Sequence, residues 1–294
     1  MIKHAFIATA QRELIPLVAG ELRALGVESV RETRQGACFE GTLEDAYRAC
    51  LWSRIANRIW LPLVEASVED AQGLYEAVRG LDWAEHVAAD GTLAVDCHLH
   101  RSNLDHTHYA SLKAKDAIVD QLRDLTGVRP SIDTEYPDVR VRIDINRNVA
   151  QIGIDLSGSG LHRRGYRKEG FAAPLRETLA AAILERAGWR EIAGGGGDLF
   201  DPMCGSGTLL VEGALMAGDI APGLLRTHFG FLKWHGHDLM LWDRLLTEAQ
   251  ERKLEGLRKM PLISGRDQDG RAIDAAQRNI ERAGLSQYIQ VKQQ

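Results

Sequence analysis

The stretch Asp198-Leu-Phe-Asp-Pro-Met-Cys-Gly-Ser-Gly-Thr-Leu-Leu-Val-Glu212 most constrains how this chain can fold. Two apolar residues lead to Asp201, glycines follow at positions 205 and 207, and Thr208 opens an apolar segment too long for a loop. This order predicts a strand, a glycine turn and a helix. Because glycine carries no Cβ, the turn can bring the backbone close to a bound molecule. We therefore interpret this corner as a ligand-binding site.

The spacing of the motif excludes two of the three nucleotide-binding patterns that use glycine turns. A P-loop requires Lys and then Ser or Thr after its last glycine, but Thr208-Leu209 stands there. The dinucleotide pattern requires Gly or Ala three residues after Gly207, where the chain has Leu210. What remains is an acidic residue followed by Gly-x-Gly, the pattern with which class I methyltransferases hold S-adenosylmethionine. A tight turn without a ligand is the alternative interpretation.

The residues around this corner resemble one enzyme family. The run Asp201-Pro-Met-Cys-Gly-Ser-Gly-Thr208, continued by Asp219-Ile-Ala-Pro-Gly-Leu224, is similar to the THUMP-containing rRNA guanine-N2 methyltransferases. The resemblance extends through Phe229-Gly-Phe231, Trp234 and Trp242. It implies S-adenosylmethionine as the cofactor, 23S rRNA or a large-subunit precursor as the partner, and the exocyclic N2 of a guanine as the methyl acceptor.

Taken in order, the chain predicts an α/β protein of several regions. Residues 1–64 alternate strands and helices as in a ferredoxin-like unit, and Pro62 places the last of these strands at a sheet edge. Residues 65–156 resemble a THUMP domain, which binds RNA in this family. A basic linker over residues 157–170 then leads to residues 171–294, the first half of a Rossmann-like class I methyltransferase domain.

Two local signals are the clearest predictions of secondary structure. Apolar residues alternate with polar ones over residues 139–145 and again over residues 150–156, on either side of Asn146-Arg147-Asn148. This pattern predicts a β-hairpin. The sequence Thr42-x-x-Asp45 resembles a capping box and predicts the start of a helix.

The predicted cofactor site uses acidic side chains from two strand ends. Asp201 ends the first strand and can accept from the cofactor's ammonium, while the helix N-terminus beyond Gly207 offers N–H groups to the methionine carboxylate. Asp267 ends the next predicted strand and is assigned to the ribose hydroxyls. Asp269 is either a second ribose ligand or the N-cap of the following helix.

The segment Phe171-Ala-Ala-Pro-Leu175 matches, by the same resemblance, a segment that packs over the methionine end of the cofactor. This segment adds Phe171 and Pro174 to the residues of the glycine corner and of the second strand. The predicted cofactor-binding residues are Phe171, Pro174, Asp201, Pro202, Cys204, Gly205, Ser206, Gly207, Thr208, Asp267 and Asp269.

A net charge of −5 and a pI near 6.1 argue against a protein that coats nucleic acid indiscriminately, so RNA contacts must rest on local basic patches. After the glycine-rich linker at residues 157–160, the run Leu161-His-Arg-Arg-Gly-Tyr-Arg-Lys168 combines four cations with one aromatic ring. Such a run favours phosphate contacts and base stacking, and a solvated basic hinge is the alternative. The predicted RNA-binding residues are Lys113, Lys115, Arg142, Arg163, Arg164, Tyr166, Arg167 and Lys168.

Composition argues against metal and membrane binding. The four cysteines never form Cys-x-x-Cys, which disfavours a zinc site or a disulfide framework. His98, His100, His106 and His108 lie close in sequence, but with only Asp105 as an acidic neighbour of the second pair we expect surface or RNA-facing histidines and no metal. No apolar run approaches the ~18 residues of a membrane span. We expect a cytoplasmic protein.

Methyl transfer to a guanine amine requires more than a cofactor site, because the nitrogen lone pair is delocalised into the ring and the base must be positioned. In this family an Asn-Pro-Pro-Tyr type motif provides the positioning, and no two prolines are adjacent in this chain. The sequence ends after a third strand candidate at residues 288–291. We therefore expect a truncated chain that carries no catalytic residues. The alternatives are an RNA-binding module with a structural methyltransferase remnant, and a DNA or protein methyltransferase.

Overall fold

The structure of the protein is a computed structural model that describes residues 2–167 and 175–294. The strands are β1 (His4–Thr9), β2 (Ser29–Glu32), β3 (Ala37–Gly41), β4 (Arg58–Ser67), β5 (Thr92–His100), β6 (Ser131–Ile132), β7 (Val139–Asn146), β8 (Val149–Asp155), β9 (Leu199–Asp201), β10 (Ile263–Asp267) and β11 (Ile289–Gln293). The α-helices are α1 (Ile15–Ala24), α2 (Leu43–Trp52), α3 (Ala71–Arg79), α4 (Thr107–Thr126), α5 (Glu177–Arg186), α6 (Trp189–Gly194), α7 (Thr208–Ala217), α8 (Leu239–Leu257) and α9 (Gly270–Arg282).

The chain forms two compact units, each assembled from separate stretches of sequence. The first unit consists of Met1–Ile7, Arg58–Ser159 and His228–Leu239. The second unit consists of Ala8–Asn57, Gly160–Thr227 and Met240–Gln294. Every helix within residues 2–167 and 175–294 is too short or too polar to span a membrane.

The first unit contains six neighbouring strands of an eight-stranded sheet, in the order β1-β4-β8-β7-β5-β6. Strands β7 and β8 are antiparallel and form the predicted hairpin, whose turn residues Arg147 and Asn148 have φ angles of 51° and 60°. Two left-handed residues in succession are typical of a type I′ turn, which matches the twist of the strands it joins. The alternating residues of both strands are buried, so the hairpin prediction is confirmed.

The prediction that Pro62 marks an edge strand is wrong. Strand β4 lies between β1 and β8, and its register against β8 shifts between Pro62 and Val64. Proline has no N–H to donate to a neighbouring strand, and a bulge accommodates that loss inside a sheet as well as an edge does. Opposite Pro62 stands Gly153, where an added Cβ would lie 2.1 Å from the Leu61 carbonyl oxygen. Proline and glycine together therefore allow the close approach of these strands.

Residues 157–159, which begin the predicted linker, are packed into the first unit. Ser157 is fully buried and its hydroxyl accepts from the Ile59 N–H at 2.7 Å. A Cβ at Gly158, whose φ is +72°, would lie 2.8 Å from the Gly230 nitrogen. Glycine at position 158 therefore serves close packing.

The second unit contains a parallel three-stranded sheet of order β11-β10-β9. Helices α7 and α9 pack against one of its faces through buried apolar side chains that include Leu210, Val211, Ile273 and Ile280. Strand β9 lies at the edge of this sheet among the described residues, and the Phe200 side chain is 53% exposed. The same unit holds α2, where the Thr42 hydroxyl accepts from the Asp45 N–H and Asp45 accepts from the Thr42 N–H. The predicted capping box is thereby confirmed.

Candidate functional site

The candidate cofactor site lies in the second unit, where β9 and β10 end side by side. The two strands are parallel, and Asp201 pairs with Gly265, two residues before Asp267. The carboxyl ends of parallel strands share one sheet edge, and this is where open α/β sheets bind ligands. The glycine loop crosses that edge and enters α7 at Thr208.

The glycine loop requires glycine for two different reasons. Gly205 has a φ of +53°, in the left-handed region that favours glycine. Gly207 has a φ of +77°, and an added Cβ would lie 3.1 Å from the Ala276 Cβ on α9. The loop therefore combines a left-handed backbone with close packing against the second helix.

Asp267 is in direct contact with this loop. One of its carboxylate oxygens accepts from the Gly205 N–H at 2.9 Å, and the other accepts from the Asp269 N–H at 3.0 Å. Asp201 accepts from the Met203 N–H at 3.0 Å. A carboxylate oxygen has two lone pairs, so each of these groups retains capacity to accept from a ligand. The structure thus brings together the two acids that the sequence assigned to one site.

Asp269 is the N-cap of α9, where its side chain accepts from the Arg271 N–H at 2.9 Å. Its bonds with Arg271 lower the pKa of this carboxyl below its ordinary value. Of the two roles that the sequence left open for Asp269, the structure therefore contains the capping role.

The other residues of the corner differ in exposure. Ser206 and Thr208 are buried at the start of α7, whereas Pro202 is exposed. Cys204 is also buried, and burial raises the pKa of its thiol to about 11, which removes thiolate chemistry near neutral pH. Sequence reasoning missed Asn279, whose side-chain amide donates to the Ser206 carbonyl at 2.9 Å from within α9. Three further residues predicted to bind ligands, Lys168, Phe171 and Pro174, lie outside the described residues.

Three residues of the basic segment at residues 161–167 are buried in the second unit, namely Leu161, Arg164 and Tyr166. The Arg164 side chain is 1% exposed and forms an ion pair with Glu212 of α7 at 3.3 Å, while it also donates to the Arg54 and Leu161 carbonyls. The hydroxyl of buried Tyr166 donates to the same Glu212 at 3.2 Å. Burial removes the ring and the guanidinium from any surface that RNA could reach. The prediction that Arg164 and Tyr166 contact RNA is therefore corrected.

Arg167 lies beside the glycine corner. Its guanidinium donates to the Thr208 hydroxyl at 2.5 Å and to the Leu175 carbonyl at 3.1 Å, and it forms an ion pair with Glu177 at 3.2 Å. Arg167 therefore lies beside the predicted cofactor site in this structure, and its contact with RNA stays a prediction. Of the predicted cations in this segment, Arg163 is exposed.

The first unit contains a pocket of about 670 Å³ between α4, β5 and β7. Lys115 and Arg142, both predicted to bind RNA, line it together with Arg58. Lys115 forms an ion pair with Asp116 at 2.7 Å, and Arg142 forms one with Asp144 at 3.0 Å. Lys113 is not a lining residue, and its ammonium lies 5.1 Å from the centre of the Tyr75 ring.

Two of the clustered histidines, His98 and His108, also line this pocket. Burial lowers the pKa of His98, and the positive charge of Arg142 lowers it further. Within residues 2–167 and 175–294, no group of three or more His, Cys, Asp or Glu side chains is arranged to hold a metal ion. The pocket therefore presents imidazole side chains and paired cations to a ligand.

Comparison with protein families assigns three successive parts of the chain. Residues 5–60 match the RlmL ferredoxin-like domain, residues 68–155 match the THUMP domain, and residues 164–294 match the RMKL-like methyltransferase domain. The predicted fold class is confirmed by these matches: an α/β chain with ferredoxin-like and THUMP regions followed by a Rossmann-like methyltransferase region.

Curated relatives match almost the whole chain. The ribosomal RNA large subunit methyltransferase K/L of Syntrophotalea carbinolica is 52% identical over 97% of this chain and 40% of its own length. The protein of the same name from Methylococcus capsulatus is 54% identical over 98% of this chain and 39% of its own length. The chain thus spans about two fifths of the length of these relatives.

Solved structures share the fold over the full chain. A predicted N6-adenine-specific DNA methylase from Listeria monocytogenes has a TM-score of 0.85 and 28% identity, covering 100% of this chain and 75% of that protein. SMU.472, assigned as a methyltransferase and complexed with SAH, has a TM-score of 0.86 and 30% identity, covering 100% of this chain and 76% of that protein. With its three domain matches in this order, the chain belongs to the THUMP-containing methyltransferase family that includes the large-subunit rRNA methyltransferases K/L.

Proposed function

We propose that this chain supplies the RNA-docking and cofactor-binding regions of an S-adenosylmethionine-dependent methyltransferase of large-subunit ribosomal RNA. The observation that carries the proposal is the bond between the Asp267 carboxylate and the Gly205 N–H, which joins the acidic end of β10 to the glycine loop. The relatives named rRNA methyltransferase K/L and the SAH bound to SMU.472 support the same conclusion.

The corner offers complementary groups to the ribose and to the amino-acid part of the cofactor. The lone pairs that Asp267 retains can accept from the ribose hydroxyls, and those of Asp201 can accept from the ammonium group. The amino end of α7 carries N–H groups without intrahelical partners, and these favour the methionine carboxylate. The cofactor would supply a methyl group on a positively charged sulfur, and the chain's own residues would hold it in a fixed orientation.

The RNA would be held by the first unit, with Lys115 and Arg142 contacting phosphates around the pocket. The acceptor in this proposal is the exocyclic N2 of a guanine in 23S rRNA. Positioning that weak nucleophile requires acceptor groups and a stacking ring, and the chain has no Asn-Pro-Pro-Tyr type motif. We therefore expect the polypeptide of residues 1–294 to bind both ligands without transferring the methyl group by itself.

The cofactor half of the proposal is tested by calorimetric titration with S-adenosylhomocysteine. Replacement Asp267→Asn removes the charge that accepts from the ribose, and we expect roughly 10- to 100-fold weaker binding, the loss typical of a hydrogen bond to a charged group. Asp274→Asn is the matched control, because it removes an exposed carboxylate from α9 and should leave the affinity unchanged. Equal affinity in the parent and in Asp267→Asn would contradict the assignment.

The acceptor half is tested by single-turnover transfer of labelled methyl to 23S rRNA. Transfer by residues 1–294 alone would contradict the expected lack of catalysis. Loss of the label on nuclease treatment would identify RNA as the acceptor. A label that survives nuclease treatment would identify a protein acceptor. Binding of 23S rRNA without any binding of S-adenosylhomocysteine would instead identify an RNA-binding module with a structural methyltransferase remnant.

A further inference from the structure

Arg167 links three parts of the second unit at the start of α7. Its guanidinium donates to the hydroxyl of Thr208, the first residue of α7, and to the Leu175 carbonyl, and it is paired with Glu177 at the start of α5. The side chain is 15% exposed. Its Nε is fully buried and has no hydrogen-bond partner among the described residues. A cation thus lies beside the glycine loop with part of its donor capacity unused.

The electrostatics of this position favour an anionic ligand. The amino end of a helix carries a partial positive charge, so a guanidinium beside α7 is unfavourable unless negative charge balances both. Glu177 provides one negative charge, but burial raises the pKa of its carboxyl and so works against the charged form. A carboxylate bound at the amino end of α7 would complete the balance.

The hydroxyl of Thr208 connects the Arg167 guanidinium to the amino end of α7. Because its oxygen accepts a charge-assisted hydrogen bond from Arg167, its proton is free to be donated elsewhere. A hydroxyl that accepts from a cation is also polarised into a stronger donor. The hydrogen bond from Arg167 therefore directs the Thr208 proton away from the guanidinium at the amino end of α7.

We propose that Arg167 is a positioning residue of the cofactor site, which orients Thr208 and favours the carboxylate of the amino-acid part of the cofactor. This inference rests on the proposed function and deepens it. It also separates Arg167 from RNA binding, because its guanidinium is directed to the second unit's own residues.

Paired ligands test this role. S-adenosylhomocysteine carries the carboxylate, whereas 5′-deoxy-5′-methylthioadenosine keeps the ribose, base and sulfur and lacks the amino acid. In Arg167→Gln we expect roughly 10- to 100-fold weaker binding of the first ligand and unchanged binding of the second. Arg167→Lys keeps the charge but loses the planar donor fork, and should lie between the parent and Arg167→Gln. Arg163→Gln, the matched control from the exposed side of the same segment, should bind both ligands as the parent does.

The outcomes separate this inference from the function on which it rests. Equally weakened binding of both ligands to Arg167→Gln would show a merely structural role. Variants that bind S-adenosylhomocysteine as tightly as the parent does would also overturn the inference. Weaker RNA binding with unchanged binding of S-adenosylhomocysteine would reassign Arg167 to RNA. Should Arg167→Gln fail to fold, Thr208→Val removes the oriented hydroxyl instead, with the same selective loss expected. A parent protein that binds neither ligand would overturn the proposed function as well.

Discussion

Lys115 and Arg164 were both predicted to bind RNA, but they have different surroundings in the structure. In the first unit, Lys115 lines an open pocket and is paired with Asp116, whose side chain is 49% exposed. In the second unit, Arg164 and Glu212 form an ion pair in which the two side chains are 1% and 0% exposed. Lys115 can exchange Asp116 for a phosphate, whereas the pair of Arg164 and Glu212 is part of the interior.

The difference lies in what surrounds each charge. Exposed pairs are screened by water and contribute little to stability, while a charge buried without its partner is strongly destabilising. Burial also lowers the pKa of nearby Arg54 to about 10, which shows how strongly this interior opposes charge. Glu212 is the group that accepts from both Arg164 and Tyr166. It therefore makes burial of the basic segment possible.

The largest expected effect is the loss of that acid. Replacement Glu212→Gln keeps the shape of the side chain but leaves Arg164 buried without its negative partner. We expect the free energy of unfolding to fall by about 3–5 kcal/mol, the cost typical of breaking a buried pair from one side. Urea unfolding followed by far-ultraviolet circular dichroism measures this change.

The matched control is Glu185→Gln. Glu185 forms an ion pair with Arg190 at 2.9 Å, and the side chains are 31% and 40% exposed. Its removal should change the free energy of unfolding by less than about 1 kcal/mol. Similar effects of the two replacements would contradict the contrast between interior and exposed cations.

The sequence predicted those parts of the fold and of the candidate site that depend on neighbouring residues. The capping box at Thr42 and Asp45, the hairpin turn at Arg147 and Asn148, and the strand end at Asp267 are all encoded by short patterns. Each needs only local geometry to form, so spacing along the chain identifies it.

Contacts between distant residues could not be predicted in this way. Arg164 and Glu212 are far apart in sequence, as are Asn279 and the Ser206 carbonyl. A run of cations has the same sequence pattern whether its partners are phosphates or acids on another helix. The sequence therefore placed Asp201 and Asp267 at one corner of the sheet, as the structure does, but it assigned the buried Arg164 and Tyr166 to RNA.

A smaller effect is expected from His162, which belongs to the same segment. Burial lowers the pKa of its imidazole to about 4, and the positive charges of Arg176 and Arg163 lower it further. The unfolded chain, with an ordinary pKa of about 6.5, takes up the proton first as the pH falls. The contribution of His162 to stability is therefore complete above pH ~6.5 and is lost as the pH falls toward ~4.

Because this side chain is partly exposed, we expect the effect to be about 1 kcal/mol. Urea unfolding of the parent and of His162→Gln at several pH values measures it, with the parent losing more stability than the variant between pH ~6.5 and ~4. Identical pH dependence in the two proteins would show that His162 is not held neutral by its surroundings.

The smallest expected effect concerns Lys115, which lines the pocket of the first unit. Lys115→Gln removes one cation from the pocket, and we expect affinity for a 23S rRNA fragment to fall about 3- to 5-fold, with the slope of log affinity against log salt reduced by about 1. Lys113→Gln makes the same change of charge on the same helix, outside the pocket lining, and should have less effect on both quantities. Equal effects would show that α4 attracts RNA as a diffuse basic surface. A selective effect of Lys115→Gln on both the affinity and the salt slope would instead support a phosphate contact at the pocket, which Lys115 lines and Lys113 does not.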